Sequence, residues 1–151
     1  AGMSGSAKDI GNFLRMLFAG GKFQGRSILK ESSIRESFRV QNRNIIFDLG
    51  IEIALPFWIS ENPSESLKRL GHGGDIPPFH AVILMIPAQK LGVVLMTNTS
   101  SSSFYLQEAA EDILDILYEN KNGEPILRTK RNFQVQKDLL PALETWTGRY
   151  V

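Results

Sequence analysis

The stretch from Leu70 to Phe79 holds the residue types best suited to chemistry. It contains His72, one of only two histidines in the chain, together with three glycines, Asp75 and a Pro-Pro pair. Two strongly apolar runs follow it directly. A polar, glycine-rich turn that leads into buried strands lowers the stability of the fold. Such a turn is expected where the backbone must come close to another molecule. The sequence therefore predicts a functional turn at this position.

Three kinds of site could use such a turn, namely a phosphate loop, an oxyanion loop and a metal site. A phosphate loop opens onto a helix and usually carries Lys-Ser or Lys-Thr, whereas Pro77-Pro78 and a strand follow here. His-Gly-Gly also occurs in the oxyanion loop of α/β-hydrolases, but their Gly-x-Ser-x-Gly elbow is missing, since Gly2-Met3-Ser4-Gly5-Ser6 has its glycine one place too early. His72, Asp75 and His80 match no familiar set of metal ligands, and a third strong ligand nearby is missing. No metal site is predicted.

Composition excludes several classes of function. The 151 residues fit one domain, or one domain with a fragment of another, and the net charge of +1 calls for no nucleic acid or anionic membrane. The absence of cysteine excludes disulfides, thiolate catalysis and cysteine-bound zinc. No apolar run approaches the length of about 20 residues that spans a bilayer, and the first residues do not read as a signal peptide. No cofactor is expected.

The first half of the chain predicts two helices and a strand. Ser6 and Asp9 form a capping-box pattern before the first helix, and Gly20-Gly21 ends it. The apolar stripe of that helix consists of Ile10, Phe13, Leu14, Leu17 and Phe18. A second helix is predicted over residues 31–39, with Ile34 and Phe38 facing inward. A strand follows over residues 45–55. Residues 56–65 are predicted to be a loop in which Phe57 and Trp58 cap the edge of the core or, less favoured, line a groove.

The second half predicts a hairpin and a long helix. Strands over residues 79–86 and 91–96 are joined by four residues, a length that suits an antiparallel hairpin. Both are apolar at consecutive positions, which indicates a sheet covered on both faces by helices. The third helix spans about residues 104–119 and ends at Asn122-Gly123. Its apolar stripe consists of Leu106, Ala109, Ala110, Ile113, Leu114 and Leu117. The fold class is α+β, an antiparallel sheet flanked by helices.

Four segments, taken in order, resemble the C-terminal part of the serine β-lactamase-related family. This family includes class C β-lactamases, penicillin-binding proteins, D-aminopeptidases and esterases. Residues 1–10 resemble its Ala-Gly-Gly-Leu-x-Ser-Thr-Ala-x-Asp-Leu segment, and Leu49-Gly50-Ile51 resembles its Gly-Leu-Gly-Trp strand. Residues 71–79 resemble its third active-site motif, and residues 91–98 the strand after it. The resemblance covers residues 1–120. Residues 121–142 are interpreted as a linker and 143–151 as the first strand of an appended β domain.

The resemblance implies roles for four residues. His72, with Gly73 and Gly74, takes the place of the family's Lys-Thr-Gly or His-x-Gly triplet at the wall of the active site. An imidazole there would orient substrate or move protons, because small shifts change its charge near neutral pH. The backbone N–H of Asp75 would supply half of an oxyanion hole, and Gly73 and Gly74 would let substrate approach the strand. The carboxylate of Asp75 must then point away from the anion.

Two motifs of the family have no credible counterpart here. Ser27-Ile28-Leu29-Lys30 matches Ser-x-x-Lys by letter, but Lys30 precedes a helix instead of lying one turn along it. Tyr118-Glu119-Asn120 matches Tyr-x-Asn by letter but lies downstream of the third motif, whereas the family's pair lies upstream. The resemblance therefore implies a fragment of a serine hydrolase that lacks its nucleophile and is inactive alone.

Partners follow from the same resemblance. The full-length protein would act on a small-molecule or peptide substrate, and family resemblance alone suggests a periplasmic or secreted location. An exposed sheet edge predicts self-association or a complementing N-terminal half. The alternative function is a non-catalytic binding or regulatory module that uses the same half-sheet.

Overall fold

The structure of the chain, a computed structural model, describes residues 4–43, 51–60 and 67–126. These residues form three α-helices and six β-strands. The helices are α1 (Ala7–Phe18), α2 (Glu31–Ser37) and α3 (Ser103–Asn122). The strands are β1 (Lys22–Phe23), β2 (Arg26–Ser27), β3 (Trp58–Ser60), β4 (Arg69–Ile76), β5 (Phe79–Ile86) and β6 (Leu91–Thr97). The predicted linker beyond residue 126 and the predicted terminal strand lie outside the described residues.

The start of α1 confirms the predicted capping box. The Ser6 hydroxyl accepts a hydrogen bond from the Asp9 backbone N–H, and the Asp9 carboxylate accepts one from the Ser6 backbone N–H. These bonds satisfy two N–H groups that have no partner within the helix. One assignment on the buried stripe was wrong: Met16 is buried, whereas Phe13 is 40% exposed. The buried face of α1 is therefore rotated slightly from the face that the apolar periodicity predicted.

A tight hairpin and a short helix follow α1. Strands β1 and β2 pair antiparallel, and the loop residues Gln24 and Gly25 both have positive φ, as type I′ hairpin turns require. The sequence prediction missed this hairpin because its strands have only two residues each. Helix α2 ends at Ser37, one residue before Phe38, its C-cap. Ile34 is buried and Phe38 packs partly buried against the same cluster, so both face inward as predicted.

A four-stranded antiparallel sheet, in the order β3-β4-β5-β6, forms the centre of the molecule. It confirms the α+β class and the predicted hairpin between β5 and β6. The predicted glycine-rich turn was wrong in extent, because residues 69–76 form strand β4 and only Pro77 and Pro78 form the turn. The peptide bond between these prolines is cis.

Helices cover the two faces of the sheet, as the apolar runs predicted. On one face Leu14 and Leu17 of α1 belong to the same buried cluster as Leu70 and Met85. On the other face Ala110 and Leu114 of α3 pack with the alternate residues of β5 and β6, which are Val82, Leu84, Ile86 and Val93. Strand β5 therefore has helix-covered residues on both sides, which explains its unbroken apolar sequence.

Several other expectations need correction. Residues 51–55 form only isolated bridges, Val40 with Ala54 and Ile53 with Trp58, so this part of the predicted strand is absent; residues 45–50 lie outside the described residues. Phe57 is buried in the core, and Trp58 begins β3 instead of lying in a loop.

The predicted apolar stripe of α3 is only partly buried. Ala110 and Leu114 are fully buried, whereas Ile113 and Leu117 are each 38% exposed. No helix in residues 4–43, 51–60 or 67–126 has the length and apolar content needed to cross a membrane.

Candidate functional site

Strand β4 is paired along its whole length on one side but only at its start on the other. Strand β5 pairs with it from Leu70 to Ile76, whereas β3 pairs only with the segment from Arg69 to Gly71. From His72 onward, the outer side of β4 has no strand partner among the described residues. An unpaired strand edge presents N–H and C=O groups that can bind an extended ligand.

The register at the end of the hairpin shows which backbone groups point to this open edge. The turn has two residues, and in a two-residue hairpin the flanking residues, here Ile76 and Phe79, form the hydrogen-bonded pair that closes the ladder. Hydrogen-bonded and non-hydrogen-bonded pairs alternate along an antiparallel ladder, so the next pair, Asp75 with His80, is not hydrogen-bonded through its backbone. The N–H of Asp75 and, by the same alternation, that of Gly73 therefore point toward the open side.

His72 lies at the start of the open edge and is exposed. Its ring stacks on the indole of Trp58, with the ring centroids 5.6 Å apart and the planes 25° from parallel. Trp58 is the cross-strand partner of Gly71 and ends the paired part of β4. The stacking restrains the imidazole at the point where the strand edge becomes open.

The glycines of β4 serve two different purposes. A Cβ on Gly71 would lie 2.7 Å from Trp58 Nε1, and one on Gly73 would lie 3.2 Å from Trp58 Cη2. Both glycines therefore make room for the indole of Trp58. A Cβ on Gly74 would meet none of the described residues within 4 Å, so those residues leave its surface uncovered. Of the two glycines predicted to admit substrate, the structure leaves only Gly74 uncovered at its Cβ position.

Asp75 makes a cross-strand contact that its sequence position does not reveal. Its Oδ1 lies 2.8 Å from His80 Nδ1, on the neighbouring strand. The side chain of His80 is 6% exposed and that of Asp75 is 65% exposed. The contact is close without being aligned as a hydrogen bond, and neither ring nitrogen of His80 has an aligned partner among the described residues.

A shallow cavity of about 220 Å³ lies beside this pair. Helix α3 contributes Leu106 and Gln107 to its wall, and the Gln107 amide donates a hydrogen bond of 2.9 Å to Glu111. The rest of the lining comes from β4 and β5 and consists of Gly73, Gly74, Asp75, His80, Ala81 and Val82. The cavity thus lies against the residues of the candidate site.

The structure brings together all four residues that the sequence singled out, because His72, Gly73, Gly74 and Asp75 lie in succession on β4. Sequence reasoning placed Trp58 at the edge of the core or, less favoured, in a groove, and did not predict its stacking on His72. It named His80 only as a metal candidate. The prolines flanked by Ile76 and Phe79 could have given the cross-strand register that places His80 opposite Asp75.

The two chance matches to nucleophile motifs do not assemble into a site. Ser27 ends β2 and donates its hydroxyl hydrogen bond to the carbonyl of Leu29, while Lys30 is the extended residue before α2. Serine and lysine therefore do not share a helical turn. Tyr118 and Asn120 lie near the end of α3, where the Asn120 amide donates to the carbonyl of Ile116.

Metal-binding side chains do not converge in the parts of the chain that the structure describes. No group of three or more histidine, aspartate or glutamate residues within residues 4–43, 51–60 and 67–126 could hold an ion. The groups that this edge presents are backbone N–H donors beside the imidazole of His72. Such groups stabilise a developing oxyanion and orient an acyl substrate.

Comparisons with known proteins agree on one family. The family model described as Beta-lactamase matches residues 1–118. Beta-lactamase-like protein 4 from Dictyostelium discoideum is 31% identical to the chain over 123 residues, which is 78% of this chain and 21% of that protein. The chain therefore spans about a fifth of the length of this curated relative.

A solved structure shows a similar fold. The octameric penicillin-binding protein homologue from Pyrococcus abyssi superimposes with a TM-score of 0.57 and 24% sequence identity. The match covers 75% of this chain and 24% of that one. It supports the α+β arrangement of the sheet and helices as that of a penicillin-binding protein homologue.

Proposed function

The chain belongs to the β-lactamase family, whose model it matches over residues 1–118, and on that premise we propose that it is the C-terminal portion of a serine hydrolase. The whole protein would attack an amide, ester or β-lactam carbonyl with a serine and then hydrolyse the resulting acyl-enzyme. This portion supplies one wall of the active site and no nucleophile. Its coverage of only 21% of the curated relative supports the view that more polypeptide completes the site.

The open edge of β4 is the observation that carries the proposal. By the alternation of the ladder, the N–H of Asp75 points to the side of β4 that has no strand partner among the described residues, where an acyl oxygen would bind. His72 lies on the same stretch, held beside Trp58. An imidazole next to an oxyanion donor is the pairing that acyl transfer needs for charge stabilisation and proton movement.

An exposed apolar surface supports the proposal of a complementing N-terminal part. Ile76 and Phe79, the cross-strand pair that flanks the prolines, are 57% and 63% exposed. Met96 lies two strands away from Ile76 and is 41% exposed. Side chains of this size are rarely left uncovered together near a strand edge. We propose that the nucleophile-bearing part of the protein packs on them and brings its serine to the open edge.

The first test compares the chain alone with the full-length protein. The chain is incubated with a chromogenic β-lactam and a short chromogenic ester, and we expect no turnover above a His72→Ala control. The full-length protein, or the chain mixed with a separately expressed N-terminal part, is expected to turn over at least one of these substrates. Turnover by the chain alone that His72→Ala removes would contradict the missing nucleophile.

The same test separates an enzyme from a binding module. If the full-length protein binds the β-lactam or ester without releasing product or forming a covalent adduct, the hydrolase proposal is wrong. A non-catalytic module with the same half-sheet is then the remaining function.

A further inference from the structure

The contact between Asp75 and His80 bears on how Asp75 could bind an oxyanion. In the proposed function the backbone N–H of Asp75 binds a developing negative charge, although the side chain of Asp75 is itself a carboxylate. Carboxylates of aspartate readily accept hydrogen bonds from nearby backbone N–H groups. A carboxylate turned to the open edge would occupy the donor and repel the oxyanion.

The sheet geometry keeps the two groups of Asp75 apart. Its N–H lies in the plane of the sheet and points to the open edge, whereas side chains stand perpendicular to the sheet. Asp75 and His80 form a directly opposed, non-hydrogen-bonded pair, the arrangement in which cross-strand side chains come closest. The distance of 2.8 Å between Oδ1 and Nδ1 is the result.

His80 is an unusual residue to bury for packing alone. It is 6% exposed, and both of its ring nitrogens lack an aligned hydrogen bond among the described residues. A buried polar group without a partner is destabilising, so an apolar residue would pack better on this strand. The exposed carboxylate of Asp75, with Oδ1 2.8 Å from Nδ1, is the nearby acceptor for one of the two nitrogens.

The surroundings of His80 leave Asp75 as its charged neighbour. Strand β6 places Thr97 opposite it, and α3 contributes Gln107 to the shared cavity. The Gln107 amide is already donating to Glu111. Among the described residues, Asp75 is thus the carboxylate within ion-pair distance of the ring, with Oδ1 2.8 Å from Nδ1.

We propose that His80 is a positioning residue, which holds the Asp75 carboxylate against the sheet so that the Asp75 N–H remains available to the oxyanion. The proposal rests on the proposed function and adds to it a residue that does not itself touch the substrate. In this arrangement the carboxylate is kept on the α3 side of the sheet. Loss of His80 lets it turn to the open edge and compete with the substrate oxygen.

The geometry can be tested on the chain itself by nuclear magnetic resonance of the imidazole nitrogens. The sequence has only two histidines, so ¹⁵N-histidine labelling gives two ring systems, and His72→Ala assigns them. We expect Asp75→Asn to move the Nδ1 resonance of His80, and the exposed control Glu108→Gln to leave it in place. A His80 signal that is unchanged by Asp75→Asn overturns the positioning contact, whatever the activity of the whole protein.

The catalytic consequence can be tested with a double-mutant cycle in the full-length protein. We expect His80→Leu to lower kcat about tenfold with a smaller change in KM, a part of what loss of a whole oxyanion donor costs. His80→Asn keeps an amide that can donate to the carboxylate and should recover part of the rate. In an Asp75→Ala background, which retains the backbone N–H, His80→Leu should have no further effect.

The outcomes separate the two proposals. If His80→Leu lowers kcat equally with and without the Asp75 carboxylate, His80 is structural and the positioning role is wrong. If His80→Leu does not fold, the comparison of His80→Asn in the two backgrounds decides the same question. If no variant, including the natural sequence, turns over substrate while the resonance of His80 still responds to Asp75→Asn, the hydrolase function fails and the contact between the residues stands.

Discussion

The two halves of strand β4 differ in almost every physical respect. The first half, Arg69 to Gly71, is buried and pairs with β3, and its residues Leu70 and Gly71 also pair with β5. The second half, His72 to Ile76, has a strand on one side among the described residues, and four of its five residues are exposed. Arg69 is also tied to α3 by an ion pair with Asp115. One continuous strand thus passes from a structural segment to a segment with available backbone groups.

This difference shows how the fold positions the edge that we propose as one wall of an active site. The buried half fixes the direction and register of the strand, because its side chains are locked in the core. The second half, His72 to Ile76, is held in place by its backbone pairing with β5. Backbone donors on a rigid strand cost little reorganisation when charge develops next to them. Substitutions in the first half should therefore affect stability, and those in the second half should affect chemistry.

Leu70→Ala should produce the largest loss of stability. Leu70 is fully buried in the cluster that includes α1, and truncation of a buried leucine costs about 2 to 5 kcal/mol of unfolding free energy. Ile76→Ala, at the other end of the same strand, should change stability by less than about 0.5 kcal/mol, because its side chain is 57% exposed. Denaturant unfolding of both variants measures the contrast, which equal losses would abolish.

Asp115→Ala should destabilise the protein by about 3 kcal/mol, because it leaves the guanidinium of Arg69 buried without this partner. The side chain of Arg69 is 6% exposed, so water cannot replace the carboxylate fully. Glu108→Ala on the exposed side of α3 is the matched control. The paired variant Arg69→Met with Asp115→Leu should recover most of the loss, and a failure to recover would show that the ion pair itself is required.

Gly71→Ala and Gly74→Ala test the two purposes of the glycines. A methyl group at position 71 collides with the Trp58 indole and should cost about 2 kcal/mol by overpacking. The same change at position 74 enters open space and should be close to neutral for folding. Trp58 fluorescence, measured in a Trp146→Phe background, should change for Gly71→Ala alone. An equal response to both substitutions would contradict the assigned position of the indole.

The smallest effect concerns α1, whose residues Leu14 and Leu17 share the core with the buried half of β4. Hydrogen bonds from the Ser6 hydroxyl and then the Ser6 backbone N–H lower the pKa of Asp9 from its ordinary value of 3.8. Because the pKa is lower in the folded state, this stabilisation is complete above the ordinary pKa. It is lost as pH falls through the lowered folded value.

The measurement is the unfolding free energy of the natural chain and of Asp9→Asn between about pH 5 and about pH 2. The difference between the two should shrink as the solution is acidified. A difference that grows toward low pH has the wrong sign for a carboxylate that is stabilised in its charged form.

Local patterns predicted the elements that depend on their own residues. The Ser6–Asp9 cap and the apolar runs of β5 and β6 encode their structure within a few positions. The extent of β4 was not predictable in this way. Its glycines predicted a turn, whereas Gly71 and Gly73 are accommodated in a strand because the indole of Trp58 on β3 fills the space beside them.

The site residues stay a prediction, and the sequence did not give their geometry. The family's third motif identified His72 to Asp75, since that motif is contiguous in sequence. The direction of the Asp75 N–H and the contact of its carboxylate with His80 depend on the cross-strand register, which the two prolines set. The edge left open by β3 depends on a pairing that no local pattern reports.

The central claim is that the open edge of β4 serves a serine that lies outside this chain. The most direct measurement is peptide mapping of the covalent adduct after the full-length protein is trapped with a slowly hydrolysed β-lactam or activated ester. We predict that the adduct is on a serine outside residues 1–151, and that His72→Ala slows its formation about a hundredfold. An adduct on a serine of this chain, such as Ser27, would contradict the account.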